Sequence, residues 1–275
     1  MRHIPRLRAA ILALALAIVS SVGADSGPVR QRASEGLVGR QAQLLDRILQ
    51  EILPTSADRP SLYFVGFAGF GGEAVFKREV LAVRQLFDER FETKGRSITL
   101  INHPSTSGDI PLATVTNLER VLQQLGGLMD ARRDTLFLFF TSHGERGKVT
   151  VQMPGISTRH LTSTRLKDML DRAGIARRVI VVSACHAGSF LPALAGPTSL
   201  VIAAARADRS SFGCEDRRRW TYFGDAYFNK TLRAETSFRK AFDRAKRWIA
   251  LWEVRDGLGR SLPQIAGGDA LTDVD

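Results

Sequence analysis

Sulfur is scarce in this chain, which holds two cysteines, Cys185 and Cys214, among 275 residues. Two thiols exclude the dense disulfide framework of small secreted scaffolds, although one bridge between them stays open. Histidine is sparse as well. His103, His160 and His186 share no metal-ligand spacing with the cysteines, so no metal and no other cofactor is expected.

Long apolar runs are also missing. The longest, residues 9–22, follows Arg2, Arg6 and Arg8 and precedes Gly23-Ala24. A basic segment, an apolar segment and small residues predict a cleavable signal over residues 1–24. A retained anchor helix is the competing reading, but a span wants about 20 apolar residues. No later stretch qualifies, so no transmembrane span is expected after cleavage, and the expected location is the periplasm or cell envelope.

Acidic residues are outnumbered, 28 against 39 basic ones, giving a formal charge of +11; loss of three arginines with the signal leaves +8 (11 minus 3). The excess is scattered. Its densest cluster, Arg217, Arg218 and Arg219 beside Trp220 and Tyr222, reads as a solvated loop, so no nucleic-acid partner is expected. Attraction to an anionic membrane surface stays open.

What is present is an alternation of short apolar runs and helical patterns. Leu37, Leu44, Leu45, Ile48, Leu49 and Ile52 recur at helical spacing, and residues 54–60 form a polar linker. Apolar runs then lie at residues 62–65, 97–101, 136–140, 179–182 and 199–202. Helical patterns stand between them: Phe76, Val80, Val83, Phe87 and Phe91; residues 118–125; and residues 166–170. Phe238, Phe242, Ala245, Ile249 and Trp252 mark one more helix. Runs apolar on both faces, joined by helices, predict an α/β domain with a mostly parallel sheet. The expected division is a signal (1–24), a helical extension with linker (25–57), the α/β domain (58–255) and an irregular tail (256–275).

In such sheets reactive groups gather beyond the carboxyl ends of the strands. The run 136–140 leads into Thr141-Ser-His-Gly144, and the run 179–182 into Ser183-Ala-Cys-His-Ala-Gly188. On neighbouring strands, about 4.8 Å apart, the His143 imidazole and the Cys185 thiol would emerge side by side. Thiol catalysis needs that pairing, because the thiolate attacks and the imidazole then protonates the leaving amine. Gly144, without a side chain, lets its N–H approach a substrate oxygen, and with the Cys185 amide it would form an oxyanion hole. A buried structural cysteine and a structural histidine are the plain alternatives. Finding both at strand ends favours the catalytic reading.

Ser189 is not set in a Gly-x-Ser-x-Gly elbow. Gly69-Phe-Gly71-Gly72-Glu-Ala74 fits a loose dinucleotide pattern, but the next strand ends in Asn102-His-Pro104 without a ribose-binding acid. These glycines read as a tight strand-to-helix turn.

With His143-Gly144 and Ser183-Ala184-Cys185 placed, the chain resembles the legumain-type cysteine peptidases of the caspase-like clan, most closely their exported bacterial members. The similarity runs from about residue 61 to about residue 252, strongest at 136–147, 178–190, 210–215 and 221–225. It implies a caspase-like three-layer α/β sandwich and a His143/Cys185 dyad. The implied activity is endopeptidase action on peptide or protein substrates through a thioester, with transamidation as a side activity. It also implies that Ser210, Ser211 and Asp225, with Ser183, line the pocket for the residue before the scissile bond. The family's acid two positions before the cysteine is Ser183 here, its histidine-supporting asparagine falls on Val75, and its pocket arginine on Lys77 or Arg78. Cys214 falls in a pocket-side loop and is expected as a free thiol. A catalytically silent scaffold or binding protein of the envelope is the alternative for the same fold.

Overall fold

The computed structural model describes residues 27–156 and 158–272. The segment 1–24 read as a signal lies outside the described residues. Helix α1 (Gly27–Gln50) comes first, and no regular element separates it from strand β1 (Leu62–Ala68). Helix α2 (Ala74–Arg90), strand β2 (Ser97–Ile101), helix α3 (Val115–Leu128) and strand β3 (Thr135–Thr141) follow. Three short strands, β4 (Gly144–Glu145), β5 (Lys148–Val149) and β6 (Leu161–Thr162), lead into α4 (Ser163–Arg172) and β7 (Arg178–Ser183). After the single-turn α5 (Leu191–Leu194) come β8 (Ser199–Ala203), the short α6 (Tyr222–Gly224), α7 (Phe238–Arg255) and β9 (Gln264–Ala266).

The main sheet has the order β2-β1-β3-β7-β8-β9, parallel except for β9. Its central strands are buried on both faces, and alternate residues feed two separate cores. Val65, Phe67, Leu138, Phe140, Ile180 and Val182 pack with Leu45 of α1, Leu122 of α3 and Leu166 of α4. Phe64, Phe137, Phe139, Val179 and Val181 pack on the other face with Phe76 and Val83 of α2 and Phe242 and Ile249 of α7. This period of two is the pleat itself. Each buried side chain of this size contributes about 1.5–3 kcal/mol of apolar burial, so the strand ends rest on a rigid slab.

Three elements depart from the sequence expectation. The tail, read as irregular over residues 256–275, contains β9, which pairs antiparallel with β8 through Val201↔Ala266, Ile202↔Ile265 and Ala203↔Gln264. Three residues are too few to show a period, and only the unpaired edge of β8 makes them a strand. The β4-β5-β6 sheet is equally short. Residues 225–231 form a turn of π-helix directly after α6. Among the described residues no helix is long and apolar enough to cross a membrane.

Candidate active site

The site begins with strand register. Thr141, the last residue of β3, stands opposite Ser183, the last residue of β7, and Ser142 N–H donates to the Ser183 carbonyl at 3.2 Å. His143 and Cys185 each lie two positions further on, so both leave the sheet at one edge.

Beyond Cys185 the chain turns sharply. His186 adopts φ +58°, its N–H donates to the Arg209 carbonyl at 2.8 Å, and its Nδ1 lies 3.1 Å from the Ala207 carbonyl. This binds the loop after β8 against the thiol. Ser211 N–H donates to Cys185 Sγ at 3.4 Å, and Sγ lies 3.6 Å from the Ser211 carbonyl and 3.8 Å from its hydroxyl. Ser210 is exposed beside it.

Gly144 is required sterically. A Cβ there would stand 2.5 Å from the Cys185 carbonyl and 2.9 Å from the Ala184 Cβ, so the two loops touch backbone to backbone. Thr150 N–H donates to the His143 carbonyl at 2.9 Å, which makes the adjoining Gly144↔Val149 pair the non-hydrogen-bonded type. The Gly144 N–H therefore points away from β5. The Cys185 N–H has no acceptor among the described residues.

The imidazole is held by groups the sequence reading did not select. His143 Nε2 lies 3.2 Å from a carboxylate oxygen of Glu73. Phe70 and Phe76 meet the ring edge-on, with centroids at 4.7 and 5.3 Å and interplanar angles of 78° and 81°. Val75 is fully buried in the core and offers the imidazole nothing. The glycine turn after β1 delivers these groups: a Cβ at Gly69 would meet the Thr150 carbonyl at 2.5 Å, and one at Gly71 the Asn102 carbonyl at 2.9 Å. Its function in the fold is close passage of the backbone.

Beneath the end of β3 lies a second carboxyl group, Glu79 of α2, with no exposed surface. It accepts from the Thr141 hydroxyl, from Thr221 N–H at 3.0 Å and from the Thr221 hydroxyl at 2.8 Å. The Thr221 hydroxyl lies 3.2 Å from that of Ser183. Ser183 is itself buried against Thr221, so the structure moves it from the pocket wall to the layer below. Burial pushes the Glu79 carboxyl up to about 7, against the hydrogen bonds from Thr141 and Thr221.

The remaining candidates separate. Asp225 accepts from the Asn229 amide at 2.7 Å and lines a cavity of about 250 Å³ whose other walls include Arg218, Lys230 and Arg255. Lys77 is held by Ser105 at 2.8 Å and His103 at 3.3 Å, while Arg78 is turned to the carbonyls of Asp216 and Arg218. Cys214 and Cys185 are both free thiols. Burial, with the charges of Cys185 and Glu79 adding to it, pushes the Cys214 thiol up to about 12. Among the described residues no three His, Cys, Asp or Glu side chains converge as a metal site would require.

A six-stranded, mostly parallel sheet between helical layers, with a histidine and a cysteine at neighbouring strand ends, is the caspase-like architecture. Caspase-1 from Spodoptera frugiperda superposes with a TM-score of 0.53 at 14% identity, over 79% of this chain and 88% of that one. A model described as the peptidase C13 family matches residues 114–269, and the chain belongs to that family of cysteine peptidases. Legumain from Mus musculus is 29% identical over 102 residues, 36% of this chain and 23% of legumain, and legumain from Rattus norvegicus matches to the same extent. The matched part thus spans under a quarter of those relatives.

Proposed function

We propose that this chain is a cysteine endopeptidase with Cys185 as nucleophile and His143 as its proton carrier. The observation that carries the reading is the matched end of β3 and β7, which puts both residues at one edge two positions beyond Thr141↔Ser183. Family membership implies protein or peptide substrates.

The Cys185 thiol passes its proton to the imidazole, and Sγ adds to the carbonyl carbon of the scissile bond. Negative charge develops on the carbonyl oxygen, within reach of the Gly144 and Cys185 N–H groups, an interaction worth about 3 kcal/mol per donor. His143 then gives its proton to the departing amine, leaving a thioester on Sγ. Water, deprotonated by the same imidazole, releases the acid and restores the thiol. An amine in place of water would give transamidation. Ser210 and Ser211, next to the thiol, are offered as the pocket wall for the residue before the bond, and Asp225 as a more distant determinant. The pattern of residues 1–24 supports export to the periplasm or envelope.

The test is a fluorogenic peptide library with Asn, Asp, Arg or Lys before the bond, run on wild type and Cys185→Ala. Cleavage by wild type and none by the variant is expected. Cleavage by neither would favour a silent binding domain.

A further inference from the structure

Among the described residues the carboxylate beside His143 has no other partner. Glu73 occupies the N-cap of α2, a place where a short polar side chain usually accepts from the first free N–H groups. It makes no such capping bond. Asp216, from the loop after β8, accepts from Ala74 N–H at 2.6 Å instead. Capping by a distant residue leaves the Glu73 carboxylate free to reach Nε2.

We infer that Glu73 is a positioning residue for the peptidase chemistry: it fixes the Nε2–H tautomer and the orientation of His143, so that Nδ1 is the nitrogen offered to the Cys185 thiol. A carboxylate accepts only, so the neutral ring must carry its proton on the nitrogen facing it. Phe70 and Phe76, edge-on to the ring, restrict its rotation. The residue at the family's asparagine position, Val75, is buried and apolar. The supporting role has therefore moved two positions along the chain and changed from amide to carboxylate. Other charged groups of this corner are engaged: Asp216 caps α2, Arg78 holds the Asp216 and Arg218 carbonyls, Lys77 is bound by Ser105 and His103, and Glu79 is buried below.

This rests on the peptidase reading for the role of His143, but its test does not need a substrate. The rate of Cys185 alkylation by iodoacetamide, a neutral reagent, is followed against pH by mass spectrometry. Wild type, Glu73→Gln, His143→Ala and the double variant are compared. Loss of a negative charge beside a coupled thiol–imidazole pair favours every deprotonated form, whichever microstate reacts. Glu73→Gln should therefore displace the profile to lower pH by about half a unit or more. In the His143→Ala background the same change should shrink to less than half of that. A Glu73→Gln profile that superimposes on wild type, or an equal displacement in both backgrounds, would overturn the inference. Once a cleaved peptide is in hand, Glu73→Ala should lower kcat at least about tenfold with little change in KM, and Glu73→Gln should retain more. If no peptide is cleaved, the peptidase reading fails while alkylation still decides whether Glu73 acts through His143.

Discussion

Thr141 and Ser183 face each other as the last paired residues of β3 and β7, and this single register position brings the segments that carry His143 and Cys185 to the same edge of the sheet. A shift of one residue in either strand would send one of the two to the opposite face of the sheet. The common edge is thus a consequence of two apolar cores packing on the sheet faces.

Removing the imidazole should leave the fold and abolish the chemistry. His143→Ala is expected to lower kcat by about 10²–10⁴, with an unchanged far-ultraviolet circular dichroism spectrum. A residual rate within a few fold of wild type would remove His143 from the mechanism.

Gly144→Ala tests the contact between the loops. Its methyl group would meet the Cys185 carbonyl and the Ala184 Cβ, neither of which can swing aside. A loss of about 1–3 kcal/mol in denaturant unfolding is expected, with a fall in kcat as the Gly144 N–H is displaced. Wild-type stability and kcat would contradict the backbone contact.

Glu79 predicts an unusual dependence of stability on pH. Its carboxyl titrates near 7 in the folded chain and at about 4.3 when unfolded. Between these values the folded state holds a proton that the unfolded state has released. Stability is therefore full below the unfolded value and falls as pH rises towards 7, by about 3–4 kcal/mol in all. Glu79→Gln should flatten that slope, as read by urea midpoints between pH 5 and pH 8. An identical slope in the variant would place the titration elsewhere.

Cys214, with its thiol pushed up to about 12, should resist iodoacetamide at pH 7 while Cys185 reacts. Peptide mapping under non-reducing conditions checks this together with the absence of a bridge. A stoichiometric Cys185–Cys214 disulfide in fresh protein would count against the peptidase reading.

The five parallel strands were legible because they are short, largely apolar runs, and the placement of His143 and Cys185 at one sheet edge because each closely follows such a run. The groups that tune the site were hidden by their local sequence. Glu73 sits in a glycine turn, and nothing nearby in sequence shows that Asp216 takes over its capping duty. Glu79 follows two other charged residues, Lys77 and Arg78, and nothing in that local sequence marks it as buried. It is buried because Gly224 leaves the space, where a Cβ would fall 1.8 Å from the carboxylate. The family resemblance put Ser183 in the pocket, but the pleat turns it towards Thr221.

Attack of Cys185 on a carbonyl with help from His143 is the chemistry proposed for this site. Its most direct test is a peptidyl acyloxymethyl ketone, which is displaced only by an activated thiol, followed by intact mass and peptide mapping. One adduct per chain is expected, on Cys185, lost in His143→Ala and in denatured protein. Labelling of Cys214, or equal labelling of Cys185 in the native and His143→Ala proteins, would contradict it.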